Sequence, residues 1–320
     1  MRIGILGQPC IDEILQPGKR SPSAERALGG VFYSYAAMER LMRERGSEDA
    51  FAPLTWLSSP DREFLSTLLR KFDHMDRSMG LWSTDSLTNR VQLVYQEDGH
   101  RSEHCPHILP PLTRREISPD LLERLDGLFV NMISGFDIEL ETLEAALNQV
   151  TKRPYVHLDI HALVLGPLSQ ANSAEKFGGG REPRGVPDWK RWLAIADSVQ
   201  MNEFEARWLP DPEIRSEEDL LRAIERMDLR KGPKHVIITR AARGATVYDM
   251  EAGDATHIPA PTMDALETTG SGDVFGSAFI FSIMAGMKPE DALREAVNWA
   301  SWNTTLTSIE QILDTQILHN

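Results

Sequence analysis

What most restricts the fold of this chain is a rhythm, in which short apolar runs alternate with segments of helical periodicity. "RIGIL" precedes the helical pattern "VFYSYAAMERLMRE", "FAPLTWL" precedes "DREFLSTLLRKF", and "GLFVNM" precedes "IELETLEAALNQV". "YVHLDI", "DSVQM" with "EFEARWL", and "HVIIT" continue the series. Parallel strands need a long crossover between them, usually a helix, and a strand covered on both faces reads as an unbroken apolar run. The rhythm therefore predicts an α/β fold, a central mainly parallel sheet flanked by helices. Two stretches, about residues 11–28 and 88–110, carry alternation or turn signals such as Asp98-Gly99 with no helix between. They read as antiparallel strands added to the main sheet as a small β lid. Neither an internal repeat nor a linker divides residues 1–320, which read as a single domain.

Composition removes several classes of function. A net charge of -14 argues against a nonspecific nucleic-acid binder, whose footprint is basic. It leaves room for an anionic substrate, since a pocket can be positive on an acidic surface. Cys10 and Cys105 are the two cysteines, too few for a disulfide framework and consistent with a reducing compartment. The opening "MRIGILGQPCIDEI" is interrupted by Pro9 and Asp12 and is too short for a signal peptide. The apolar run Ala278 to Met287 falls far short of the ~20 residues that cross a bilayer. The expectation is a cytoplasmic protein with no membrane and no nucleic-acid partner.

"LETTGSGDVFGSAF", Leu266 to Phe279, carries the chemistry. A helix N-terminus exposes unpaired N–H groups and partial positive charge, and glycines let the backbone approach an anion closely. Gly270, Ser271 and Gly272 can therefore present amides to a phosphate ahead of the buried helix "DVFGSAFIFSIMAG", which should stop at Gly286 before Pro289. Asp273 reads either as a carboxylate that stabilises the first turn or as a base beside the anion hole.

These residues resemble the ribokinase-like, or PfkB, carbohydrate kinases, whose signature D-T-T-G-A-G-D stands here as "ETTGSGD". The resemblance implies that Asp273 is the catalytic base and that the Gly270, Ser271 and Gly272 amides neutralise charge on the transferred phosphoryl group. "MNEFEARWL" resembles the family's N-x-x-E, implying that Asn202 meets ATP phosphate and that Glu205 holds Mg²⁺ through its water shell. Read alone, Asn202 and Glu205 are more readily a helix N-cap and its box partner. In "HVIITRAARGATVYDMEAG", Thr239 and Gly244 match the family's T-x-G-x-x-G turn beside the nucleotide, with Ala241 in place of the first glycine. A plain hairpin is the competing reading.

Toward the N-terminus, "GQPCIDEI" and "LGGVFYSYAAM" resemble the family's acceptor site. Asp12 would take hydrogen bonds from sugar hydroxyls, with Gly29 and Gly30 matching G-G-x-x-x-N and Ser34 replacing its Asn. Asp12 alone is also an ordinary turn residue after a strand. Glu267 stands where the family has Asp, in a loop that binds a monovalent cation in some members. The resemblance spans nearly the whole chain, to "EDALREAVNWASW". It implies an ATP-dependent phosphotransferase acting on an alcohol group of a sugar or sugar-like small molecule. A nucleoside kinase of the same family and a non-catalytic ligand-binding protein on the kinase fold are the alternatives. A homodimer through an exposed lid edge is compatible with it.

Three other clusters compete for attention. His157, Asp159 and His161 alternate in "YVHLDIHALVLG" and would share a strand face, as a metal site or as walls of the ligand crevice. "HRSEHCPH" offers His100, His104, Cys105 and His107, with adjacent side chains on opposite faces of a strand. "GGGREPRG" places Arg181 and Arg184 on a loop able to clamp an anion, but it lacks the lysine and hydroxyl of a P-loop.

Overall fold

A computed structural model describes residues 1–15, 25–46, 48–95, 101–164, 185–209, 214, 216–227 and 232–315. Arg181, Arg184 and His100 lie outside the described residues, as do the side chains of His104 and Cys105. The strands are β1 (Arg2–Leu6), β2 (Pro9–Leu15), β3 (Glu25–Gly30), β4 (Ala50–Ser58), β5 (Leu81–Thr84), β6 (Asn89–Tyr95) and β7 (Arg101–His107), followed by β8 (Gly127–Asn131), β9 (Tyr155–Asp159), β10 (Ser198–Asn202), β11 (His235–Thr239), β12 (Ala245–Asp249) and β13 (Asp254–Ile258). The early helices are α1 (Phe32–Arg45), α2 (Arg62–Leu69), α3 (Pro119–Leu122), α4 (Leu140–Leu147), α5 (His161–Val164) and α6 (Trp189–Ala194). They are followed by α7 (Glu203–Trp208), α8 (Glu217–Glu225), α9 (Ser271–Met284), α10 (Pro289–Asn303) and α11 (Ile309–Asp314).

The large sheet runs β13-β12-β11-β10-β9-β8-β1-β4-β5. Neighbours from β5 to β11 pair in parallel, and β12 and β13 add antiparallel strands at one edge. From β1 the chain builds outward through β4 and β5, then returns to lay β8 on the other side of β1. Strand order therefore reverses between β1 and β8, and in such sheets the ligand crevice opens at the carboxyl ends beside that reversal.

Burial on both faces explains the unbroken apolar runs. Ile3 and Ile5 of β1 join one core, with α1, α9, α10 and α11, while Leu6 joins the other, with α3 to α8. Helix α9 is buried continuously from Val274 to Ser282. Gly276 admits the ring of Phe129, whose Cζ would lie 2.3 Å from an added Cβ. The helix ends as expected, with Gly286 at φ +84 and Pro289 opening α10.

The lid strands depart from expectation. They form a separate four-stranded sheet, β3-β2-β6-β7, rather than additions to the main one. Its outer pairs are antiparallel, but the central pair β2 and β6 is parallel, with Asp12 opposite Val91. Residues between β2 and β6 cross the main sheet through α1, β4, α2 and β5, so the chain re-enters in the same direction. Among the described residues, no helix is long and apolar enough to cross a membrane.

Candidate active site

The carboxyl ends of the parallel strands gather the polar residues. Asn131 at the end of β8 pairs in register with Asp159 at the end of β9, and Asn202 with Thr239 at the ends of β10 and β11. The first turn of α9 brings Gly270 to Asp273 to the same edge.

Gly270 is the N-cap of α9 with φ +77, a conformation that L side chains rarely hold. Tyr33 lies flush against it, and an added Cβ would sit 2.1 Å from the ring's Cδ1. The loop ahead is fixed from outside: Thr304 O accepts from Leu266 N at 2.7 Å and Glu267 N at 3.1 Å, and Asn303 Nδ2 donates to Thr269 O at 3.1 Å. Glu267 Oε1 accepts from Thr268 N, Thr269 N and Thr269 Oγ1 at 2.9, 3.0 and 2.7 Å. Of the three expected amides, Ser271 N closes a turn onto Thr268 O at 3.2 Å. Those of Gly270 and Gly272 make no hydrogen bond to protein among the described residues. Two donors, not three, are thus held ready for an anion without local rearrangement.

Asp273 is partly buried beside them. Its Oδ1 accepts from Asn131 Nδ2 at 2.5 Å, and the same nitrogen donates to Ser34 Oγ at 2.8 Å. Burial pushes its pKa up to about 7; the Asp159 charge adds to this, while the Asn131 hydrogen bond and His161 oppose it. A carboxylate with such a proton affinity is a better base toward an alcohol than an ordinary aspartate.

Behind Asp273 lies a buried polar chain. His157 sits between the rings of Phe129 and Phe279, each centroid 5.2 Å away, and burial lowers its pKa to about 4, leaving it neutral. Gln200 Nε2 donates to Asp159 Oδ2 at 2.5 Å and to Gly272 O at 3.0 Å. Gln200 Oε1, an acceptor, must then receive the His157 Nε2 proton at 3.0 Å, so His157 Nδ1 accepts from Ser198 Oγ at 2.8 Å. Asp159 has its own pKa raised, by burial and by Glu205.

The His157, Asp159 and His161 trio is corrected by this geometry. Strand β9 ends at Asp159, whose Oδ1 accepts from His161 N at 2.8 Å as α5 begins. His157 faces the core, and His161 Nδ1 lies 2.6 Å from Glu205 Oε1. Among the described residues, no group of three His, Cys, Asp or Glu could hold a metal directly.

Asn202 and Glu205 form a complete capping box: Asn202 Oδ1 accepts from Glu205 N at 2.8 Å, and Glu205 Oε2 from Asn202 N at 2.7 Å. Glu205 Oε1 also accepts from Asn202 Nδ2 at 2.6 Å. One of the two Asn202 Nδ2 hydrogens is thus committed within the box. A buried, acceptor-only carboxylate already ringed by N–H donors fits Mg²⁺ held through water, not an inner-shell contact.

At the end of β11, Thr239 Oγ1 donates to Met201 O at 3.4 Å, and a short 3₁₀ turn, Ala241–Arg243, leads to Gly244 at φ +93. A Cβ on Gly244 would lie 2.0 Å from Ile258 O, so glycine is required. Ala241 holds φ +48, the one positive φ of a non-glycine among the described residues. It adopts the left-handed geometry despite its Cβ, at about 1–2 kcal/mol. An Ala241→Gly variant should gain roughly 0.5–1 kcal/mol of stability once the extra freedom of the unfolded glycine is subtracted. Urea denaturation checks this, and a lower midpoint contradicts it.

In the small sheet, Asp12 lies over Gly29, whose added Cβ would be 2.5 Å from Asp12 Oδ2, and Cys10 Sγ contacts Asp12 Oδ1 at 3.2 Å. Gly30, at φ +63, turns the chain into α1. Burial raises the pKa of Tyr33, and the charges of Asp12 and Asp273 raise it further. Ser34, expected beside the acceptor, is instead fully buried with its Oγ taken by Asn131. It sits behind Asp273 because one helical step from Tyr33 turns it into the core.

Asn131, Gln200 and Tyr33 were not legible as site residues. The signal for the first two was a polar residue at the end of, or inside, an apolar parallel strand.

Residues 169–315 match the pfkB family of carbohydrate kinases. A fructokinase of Klebsiella pneumoniae is 31% identical over 97 residues, covering 30% of this chain and 28% of that protein. The match thus spans well under a third of the curated relative's length. Two solved structures resemble nearly the whole chain. A pyrophosphate-dependent kinase in the ribokinase family, solved as a sulfate complex, superposes with TM-score 0.70 at 18% identity, covering 95% of each chain. Arabidopsis thaliana ribokinase complexed with ribose and ATP gives 0.66 at 15% identity, covering 98% of this chain and 99% of that one. The architecture is that of the ribokinase fold. The family match is confined to residues 169–315, which carry the motif "ETTGSGD".

Proposed function

We propose that the protein is an ATP-dependent kinase that phosphorylates an alcohol group of a sugar or sugar-like small molecule. One observation carries this: the Asp273 carboxyl, held by Asn131, stands in the same helical turn as the free Gly270 and Gly272 amides. The acceptor would lie by Asp12, Gly29 and Gly30 beneath the small sheet. ATP would lie along Asn202, Thr239 and Gly244, with Mg²⁺ near Glu205 supplying charge neutralisation on the phosphates. Asp273 takes the acceptor hydroxyl proton as that oxygen bonds to the terminal phosphorus and the bond to ADP breaks. The two amides meet the negative charge on the transferred group. A second copy would pair at the open edges of the small sheet, β3 or β7.

The kinship with a fructokinase favours sugars over nucleosides. ADP release should be followed with D-fructose, D-ribose, 2-deoxy-D-ribose, myo-inositol and adenosine as acceptors, with and without K⁺. Pyrophosphate should replace ATP in a parallel series. Turnover with a sugar or polyol and ATP is the expected result. Turnover with adenosine alone moves the reading to nucleosides, and calorimetric binding with no transfer from either donor overturns it.

A further inference from the structure

We infer that Asn131 is the positioning residue that orients Asp273 and sets its affinity for a proton; the inference rests on the base role proposed for that carboxylate. The Asn131 amide nitrogen has two hydrogens. One reaches Ser34 Oγ at 2.8 Å and the other Asp273 Oδ1 at 2.5 Å, so the donor is saturated and one carboxylate oxygen is committed. Oδ2 is left to receive the substrate proton.

The placement is rigid. Asn131 is 3% exposed at the end of β8, and its carbonyl is crowded by Gly7, where an added Cβ would lie 2.2 Å from it. Ser277 Oγ contacts Ser34 O at 3.3 Å and Asp273 O at 2.9 Å, closing a ring that runs Asn131, Ser34, Ser277, Asp273. Three elements, α1, β8 and α9, are tied together at the base. The ring also fixes which carboxylate oxygen is presented.

The hydrogen bond has an electrostatic consequence. Burial favours the protonated acid, and a donor to the ionised form opposes it. The other groups facing Asp273 are Asp159 from β9, which favours the acid, and His161 at the start of α5, which favours the anion. Tyr33 from α1 is a phenol whose own pKa is raised, so it is uncharged at neutral pH. Asn131 is thus the contact that keeps a buried carboxyl ionisable near neutrality without adding a charge.

The test reads Asp273 directly, in the full chain without substrate. With carboxyl-¹³C aspartate incorporated, the resonance missing in Asp273→Asn identifies the site, and its pH titration gives a midpoint. In Asn131→Ala the midpoint should rise by roughly one pH unit. With whichever acceptor turns over, the acid limb of kcat/KM should move equally. Circular dichroism checks folding, and Asn131→Ser, which keeps a small polar side chain, carries the test should the alanine variant not fold. An unmoved midpoint in a folded variant overturns the inference. Asp273→Asn retaining turnover would instead defeat the base role, and the two failures are distinguishable because the midpoint is read without catalysis.

Discussion

Replacing Asp273 with Asn should lower turnover by at least about a hundredfold, the usual contribution of a positioned base, while making the protein more stable at alkaline pH. Asn keeps the shape and can still accept from Asn131, so ATP binding should survive. The stability gain follows from burial. The folded-state pKa of Asp273 is pushed up to about 7, above the ordinary aspartate value of 3.8. Between those values the folded chain retains a proton that the unfolded chain has released. Stability is therefore undiminished by this group below the lower value and is lost as pH rises through the higher one. The Asn variant escapes that loss. Its melting temperature should exceed the parent's at pH 8 by the equivalent of roughly 2 kcal/mol, allowing for the carboxyl's partial access to water, and the two should converge toward pH 4. Parallel melting curves across this range would refute the burial account, and unchanged turnover would refute the base.

That opposition between stability and chemistry marks where the sequence was informative. Parallel strands were legible because burial on both faces leaves runs such as "GLFVN" nearly unbroken, and the stop of α9 was legible in Gly286 and Pro289. The lid was legible as strands but not as a sheet: alternation reports local exposure, whereas the parallel pairing of β2 with β6 depends on where intervening segments travel. His161 was misplaced because apolar continuity through "HALV" hides the turn at Asp159, where a carboxylate captures the His161 N–H. Ala241 stands in place of the family's first glycine, yet its backbone adopts φ +48.

Ser34 shows the remaining limit. In sequence it is a lost asparagine, and in space Asn131 from β8 supplies an amide behind Asp273. Which residue fills a site is a three-dimensional question once two elements 97 positions apart can serve it. Gly270 is the opposite case, since its requirement is set by a backbone angle and a neighbour in contact.

Gly270→Ala should accordingly be severely damaging for a single added methyl. The left-handed N-cap at φ +77 costs alanine about 1–2 kcal/mol. The added Cβ would also lie 2.1, 2.4 and 2.6 Å from Cδ1, Cγ and Cε1 of Tyr33, and relieving such overpacking typically costs a further ~1–3 kcal/mol. The loop can yield only by breaking its bonds to Thr304 and Asn303, which moves the two free amides. A misplacement near 1 Å commonly costs about a hundredfold in rate. The variant should therefore lose roughly 3 kcal/mol in urea denaturation and most of its turnover. Tyr33→Ala in the Gly270→Ala background separates the two causes: it removes the clash and leaves the backbone strain, so a double-mutant cycle should recover about half the lost stability. If Gly270→Ala costs as much without the tyrosine as with it, the ring is not what demands glycine there, and backbone angle alone must explain the requirement.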